Sequence, residues 1–260
     1  HYKQIYSYLG VLEALSGMPV DVSFISFDDI LNTDILKETD VVINAGDAGT
    51  AFSGGEIWKN DKLVSKIREW VYNGGGFIGI GEPSAYEYGG RFFQLGQVLG
   101  VDKELGFSLS TDKYFTKETE KHFMKEDLKS EESFDFGESM KNIYSLYEDT
   151  EILEYSDGEI HLSSHDFGKG RGIYIAGLSY NAQNTRLLMR ALYYAAHKEN
   201  EFKKWNCSNI HCEVHVYPSK NKIAYVNNSM SEQTTTVYNE KGESKTIVLK
   251  AGEIIWEELN

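Results

Sequence analysis

A carboxylate stands beside the place where several α/β enzymes carry their nucleophile. In GFIGIGEPSAYEYGGRFFQLG (76–96), an apolar run ends at Gly81-Glu82-Pro83. A nucleophile elbow needs Ser or Cys flanked by small residues, because its turn is strained and crowded. The small residues are here and the nucleophile is not. Glu82 has the chemistry of a general base. A carboxylate at such an edge also caps backbone or pairs with a cation, and ion pairs place carboxylates as well as catalysis does. The structural role is the one expected. Arg91 follows two glycines, and a guanidinium suits bidentate recognition of carboxylate or phosphate. Its expected partner is internal, Glu82 or Glu87. Tyr86 and Tyr88 lie between them, aromatic platforms of the kind carbohydrate sites use, although core packing accounts for most of the 17 tyrosines.

A second stretch, GDAGTAFSGG (46–55), contains Asp47 and Gly49 and could present backbone amides to an anion. It lacks the Lys-Ser/Thr ending of a P-loop and the spacing of a dinucleotide fingerprint. A tight crossover loop is therefore expected. His161 and His165 are four residues apart, as are His211 and His215. Four apart in a helix would suit one metal, but both stretches read as strands, where that spacing is two pleats. No metal site is expected. Cys207 and Cys212 give neither zinc spacing nor a disulfide framework, so two reduced, half-buried thiols in a cytoplasmic protein are expected.

These residues need elements to hold them. Apolar Ile5, Tyr8, Leu9, Leu12 and Leu15 recur at helical spacing before Gly17 and Pro19. VDVSFI (20–25) reads as a strand and FDDILNTDILKETD as a connection with a short helix. VVINAG (41–46) and GFIGIG (76–81) are near-continuous apolar runs, as in parallel strands covered on both faces. Between them lies an amphipathic helix with Leu63, Ile67, Trp70 and Val71 inward, stopped by three glycines. A further helix is expected around Phe92 to Leu99. Residues 112–141 are dense in charge and poor in aliphatics, an expected excursion from the core. NIYSLY and EILEYS read as short strands, IHLSSHDF and RGIYIAG as a hairpin across GKG. NAQNTRLLMRALYYAAHKE reads as a long helix capped by Asn181 or Asn184. Five short alternating strands follow residue 202, the pattern of a small antiparallel sandwich or barrel.

Alternating strands and helices define a doubly wound α/β domain over 1–202, with a small all-β domain over 203–260. Such a sheet usually opens on a strand and this chain opens on a helix. His1 is not an initiator Met, so a first strand upstream of residue 1, inside a longer gene product, is expected. A net charge of -14 argues against nucleic acid and anionic membranes as partners. No apolar run is long enough to span a bilayer.

GGGFIGIGEPSA resembles the class I glutamine-amidotransferase-like fold, in which a Cys would occupy the elbow. More closely, QIYSYLGVLEALSGMPVDVSFISFDDI, DVVINAGDAGTAFSGGEIW and GGGFIGIGEPSAYEYGGRFFQLGQVLGVD together resemble the galacto-N-biose/lacto-N-biose phosphorylases of glycoside hydrolase family 112, in their middle domain. YNAQNTRLLMRALYYAAHKE and the β-rich tail fit that family as well. The resemblance implies a three-part, oligomeric enzyme whose N-terminal (β/α)8 barrel carries the active site. It implies reversible, inverting phosphorolysis of a β-galactoside to α-galactose 1-phosphate and a free N-acetylhexosamine, or rhamnose in some relatives. Inorganic phosphate is the co-substrate and no further cofactor is implied. One acid protonates the leaving oxygen and phosphate replaces the second carboxylate. No family catalytic acid falls on a residue of this chain. Asp47, Gly49, Glu82, Tyr86 and Arg91 are then candidates for loops that face the barrel's substrate pocket or a subunit. The competing expectations are a free-standing sugar-binding or regulatory module, and an enzyme using Glu82 as base.

Overall fold

A computed structural model describes residues 6–105, 118–128, 133–137 and 140–259. Helix α1 (Tyr6–Leu15) and the short helix α2 (Phe27–Asn32) precede strand β1 (Val41–Gly46), helix α3 (Asp61–Tyr72) and strand β2 (Gly76–Gly81). A hairpin of β3 (Ala85–Tyr88) and β4 (Arg91–Phe93) leads into the one-turn helix α4 (Gly96–Leu99). Strand β5 (Val101–Lys103) pairs with β6 (Ile143–Ser145). Then come β7 (Glu151–Ser156), β8 (Glu159–Phe167), β9 (Gly170–Ile175) and helix α5 (Ala182–Ala195).

The main sheet has five strands in the order β1-β2-β9-β8-β7. β1, β2 and β9 are parallel, while β8 and β7 are antiparallel additions. Alternate side chains of β1 and β2 serve opposite faces, as a pleated strand requires. Val42 and Phe77 pack with Trp58, Leu63 and Val98 on one face. Ala45, Ile78 and Ile80 pack with Val11, Leu187 and Ala191 on the other. Both faces are covered, which is why the runs read as unbroken apolar stretches. Asn60 starts α3 by accepting the amides of Lys62 and Leu63, and Asn181 starts α5 by accepting that of Asn184. The β8–β9 turn falls at Gly168-Lys169-Gly170, as read from the sequence.

Beyond α5 come β10 (Cys212–Tyr217), β11 (Lys222–Asn227), β12 (Gln233–Tyr238), β13 (Ser244–Leu249) and β14 (Ile254–Glu258). They form a three-stranded sheet, β10-β11-β14, and a β12-β13 hairpin. Val214, Ile223, Tyr225, Val237 and Leu249 close a small core between them, with Cys207 and Cys212. Neither cysteine is in a disulfide, and both are buried rather than half-buried. Burial pushes the Cys207 thiol up, against the pull of the nearby Arg186 charge.

Several expectations are corrected. Residues 20–25 form no strand, because no described strand lies alongside to pair with them. The helix expected over Phe92 to Leu99 is a β-hairpin followed by a single helical turn. Gly89 and Gly90 both take left-handed φ, +61° and +77°, and so make the tight hairpin turn just before the stretch read as a helix. In α1 the buried residues are Ser7, Gly10, Val11 and Ala14 rather than the larger apolar stripe, and Ile5 lies outside the described residues. Trp70 is half-buried. The segment 112–141 lies outside the described residues at 112–117, 129–132 and 138–139, yet what is described is no excursion. Met124 is fully buried, and Phe134 and Phe136 pack on the α5 face of the sheet. Its charge hid this, because its carboxylates serve buried arginines of α5.

In the same segment His122 stands edge-on to Tyr194 and accepts the Met124 amide through Nδ1. Burial, reinforced by the Arg171 charge, pushes its pKa down to about 4. An unfolded His titrates at about 6.5, so unfolding takes up a proton between these values. The stabilisation is complete above that unfolded value and drains away as pH falls toward 4. We expect His122→Gln to flatten stability between pH 7 and 4, removing up to ~3 kcal/mol of pH dependence. Urea titrations at several pH values read this directly. An unchanged slope would place the acid sensitivity elsewhere.

Candidate functional site at the C-terminal edge of the sheet

The loops after β1 and β2 lie side by side at one end of the sheet and are tied together by Asn44. Its buried amide donates to the Phe52 and Ser53 carbonyls, 3.4 and 3.3 Å away, and its oxygen accepts the Ser84 amide at 2.8 Å. Ser84 is fully buried, holds a left-handed φ of +50° and accepts the Leu95 amide. Its Oγ is thus a brace and not an exposed nucleophile. Gly81 has φ +79°, and a Cβ added to it would stand 3.1 Å from the Gly46 carbonyl oxygen, which accepts the Glu82 amide at 3.0 Å. A side chain here would be strained and crowded, the local condition of an elbow without its reactive group.

Glu82 is fixed from two sides. Its Oε2 accepts the Ala48 amide at 2.7 Å, and its Oε1 faces Lys103 Nζ at 3.4 Å. The expected pairing with Arg91 is corrected. Arg91 lies on β4 and acts by charge on Asp102, while Lys103 takes the carboxylate. The cation on Glu82 therefore comes from β5, an element that no local pattern brings there. Asp102 is itself buried and accepts the amides of Phe92, Phe93 and Lys103. Burial pushes its carboxyl up, and those amides pull against it.

Several amides of the glycine-rich loop are already occupied. Gly49 N–H donates to Gly54, Thr50 N–H to Asp47, Gly54 N–H to Thr50, and Ala48 N–H to Glu82. The Asp47 carbonyl also accepts the Thr50 and Ser53 hydroxyls. Trp58 Nε1 closes the loop on the Ser53 carbonyl at 2.7 Å. Amides occupied in this way are not presented to an anion, which fits the crossover reading. Lys59 Nζ sits 5.0 Å over the Tyr86 ring. Phe52 stacks on Tyr8 at 4.0 Å, and Phe52 and Tyr88 keep exposed faces. The structure thus brings Asp47, Gly49 and Glu82 together and places Tyr86 and Arg91 on the adjoining hairpin. It is a braced rim with aromatic and cationic outer groups.

The histidines are spread among separate roles. His161 stacks on Phe136 and lies 3.2 Å from the Ser156 carbonyl, and His165 stacks on Tyr147 and lies 3.3 Å from Val98 O. His215 pairs with Glu213 at 2.7 Å. Among the described residues no helix is long and apolar enough to cross a membrane.

Sequence reasoning missed Asn44, Ser84 and Lys103. The one available signal was Asn44, a lone amide inside the apolar run VVINAG, since a buried polar group needs partners. It missed Asp127, Arg186 and Arg190 too, although two arginines at i and i+4 in an apolar helix were visible.

We expect Glu82→Ala and Glu82→Gln to differ. Alanine leaves the Ala48 amide without its acceptor, at a cost of about 1–3 kcal/mol. Glutamine keeps an acceptor and loses only a partly exposed ion pair, worth ~1 kcal/mol or less. Equal destabilisation in urea would show that the Ala48 contact contributes nothing.

Residues 1–200 match the family model described as the lacto-N-biose phosphorylase central domain, and residues 205–257 match that of the C-terminal domain. A 1,3-β-galactosyl-N-acetylhexosamine phosphorylase of Lachnoclostridium phytofermentans is 51% identical over 98% of this chain and 35% of its own length. Its counterpart from Bifidobacterium longum is 42% identical over 98% of this chain and 38% of its own length. The chain thus spans about a third of the length of the curated relatives it matches. Among solved structures, Gan42B, a GH42 β-galactosidase of G. stearothermophilus, is 14% identical with a TM-score of 0.51, over 96% of this chain and 36% of that one. That likeness concerns the fold alone. With both models matched in order along its length, the chain belongs to the lacto-N-biose phosphorylase family, of which it carries the central and C-terminal domains.

Proposed function

We infer that the chain is the non-catalytic central and C-terminal part of a β-galactoside phosphorylase. The sheet, with helices on both faces, is read as an amidotransferase-like, doubly wound domain whose elbow has lost its nucleophile. The whole protein would carry out inverting phosphorolysis of galacto-N-biose or lacto-N-biose with inorganic phosphate, in the cytoplasm. The acid and the phosphate ligands would come from a (β/α)8 barrel N-terminal to this chain. The rim around Glu82 would support that barrel, or a second subunit of an oligomer.

One observation carries the reading. The family match is continuous through the elbow, and Glu82, the carboxylate next to Gly81, is held by a backbone amide and a lysine. A base held in this way has no partner nucleophile to activate. Arg91 and the exposed face of Tyr88 are residue types that interfaces favour. The test is phosphate-dependent cleavage of galacto-N-biose, lacto-N-biose and galactosyl-rhamnose by this chain and by the full-length protein. Only the full-length protein is expected to act. Turnover by the 260-residue chain, or inactivity of both, would overturn the reading. In the second case calorimetry with galactose and N-acetylhexosamines tests a sugar-binding module instead.

A further inference from the structure

The three-stranded sheet of the β-rich part points Val214, Ile223 and Tyr225 into its small core. Side chains alternate along a strand, so His215 and Tyr217 of β10, Lys222 and Ala224 of β11, and Trp256 and Glu258 of β14 stand on the opposite face. The register places Ala224 between His215 and Trp256, and Lys222 between Tyr217 and Glu258. Tyr217 and Trp256 therefore come from the two outer strands, whose backbones lie about 10 Å apart. Their rings nevertheless meet, with centroids 5.5 Å apart and planes tilted by 37°. They lean together across the middle strand, where Ala224 is small and only 2% exposed. The rings themselves stay open to solvent, Tyr217 at 42% and Trp256 at 55%. Apolar surface gathered in this way marks a contact site, whereas single exposed side chains carry no such meaning.

We propose that this aromatic pair is a carbohydrate platform. One pyranose ring stacks its C–H face on Trp256 and Tyr217, and its edge hydroxyls are taken by His215, Lys222 and Glu258. Size favours this occupant. Three strands by three rows of side chains span roughly 10 by 14 Å. Each partner of a stable protein complex buries about 800 Å², several times more than this face offers. A sugar ring matches it. Composition favours the same occupant. The centre of a protein interface is depleted of charge. Here Lys222 and Glu258 border the rings directly, and a Glu213–His215 pair, 2.7 Å from Oε2 to Nε2, stands at the next corner. Glu213 is fixed in turn by the Asn228 amide at 2.6 Å. An aromatic face carries partial negative charge and so attracts C–H groups. An ammonium group donates to hydroxyls and a carboxylate accepts from them. A pyranose presents both an apolar C–H face and a polar edge, which is the combination displayed here. Binding at this face involves no covalent step and depends on no activity of the whole protein.

The test is fluorine NMR of the full-length protein labelled with fluorotryptophan. The Trp256 resonance is assigned by its loss in Trp256→Phe. It is expected to move on titration with methyl β-galactoside, with a millimolar Kd at every protein concentration. Tyr217→Ala should weaken that Kd about tenfold, and Tyr217→Phe, which keeps the ring, should leave it unchanged. An unaltered urea midpoint for both variants shows that the sheet is intact. Galactitol has the hydroxyls without the ring and should not move the resonance. A resonance that ignores methyl β-galactoside would overturn the proposal, as would one that galactitol moves equally. So would a Kd untouched by Tyr217→Ala, which would leave the pair as a packing contact only. A resonance that shifts on dilution of the protein would assign the face to a second copy instead. Phosphorolysis is not read in any of these titrations, so failure of the functional reading is seen separately.

Discussion

Gly172→Ala should abolish or cripple folding, with an expected loss of about 3 kcal/mol or more, at or beyond the upper range for overpacking a core. Gly172 lies in β9 between Phe77 of β2 and His165 of β8, the two strands that flank it. A Cβ there would stand 1.9 Å from the Val98 carbonyl oxygen and 2.5 Å from its carbon. Both are backbone atoms of α4, which crosses the strand at contact distance. α4 cannot retreat, because Gly100 turns out of it at φ +73° and its own amide and carbonyl bond to Gly96 and Leu146. Gly242→Ala is the control. Its position is open, so only the left-handed φ of +77° is penalised, at roughly 1–2 kcal/mol. Urea midpoints of the two variants measure the difference. A Gly172→Ala protein as stable as the parent would show that α4 does not pack as described.

Asp127→Ala is expected to cost about 3–5 kcal/mol, the range for breaking a buried ion pair from one side. Asp127 bonds Arg186 through Oδ2 at 2.7 Å and Arg190 through Oδ1. The two guanidiniums are only 5% and 3% exposed. Arginine cannot escape by losing its proton, so without Asp127 both charges lose their main counter-ion in a buried setting. The remaining contacts soften the loss. Arg190 donates to the Phe123 carbonyl and lies 4.2 Å over the Phe202 ring, and Glu126 approaches it at 3.6 Å from the surface. Arg186 also donates to the Cys207 and Asn209 carbonyls, so the same cluster fastens α5 to the start of the β-rich part. The loss should therefore show in protease sensitivity near residues 203–212 as well as in global stability. Asp127→Asn keeps the shape and should fall between wild type and alanine. Replacing Arg186 and Arg190 by Met in the Asp127→Ala background should recover stability, since the stranded charges are the cause. No recovery would mean that Asp127 acts through packing alone.

Local pattern was sufficient for β1, β2, α3, α5, the β8–β9 hairpin and the five C-terminal strands. Each is set by the period of its own side chains and by caps or turn residues within a few positions. The absence of a nucleophile beside Gly81 was equally legible, because the elbow is a contiguous stretch. What failed was long-range. Glu82 meets Lys103 across 21 residues, Ser84 meets Asn44 across 40, and Asp127 meets Arg186 across 59. No periodicity within a segment encodes which distant group will arrive, and the charges of 118–128 therefore read as solvated when they neutralise a buried helix face. Residues 20–25 make the same point from the other side. Their pattern is that of a strand, but a strand exists only when a neighbour offers its amides and carbonyls. The sequence by itself determined most of the elements and the missing nucleophile. The tertiary structure decided which groups brace Glu82 and which strands lie side by side in the sheet, because both depend on how distant segments close on one another.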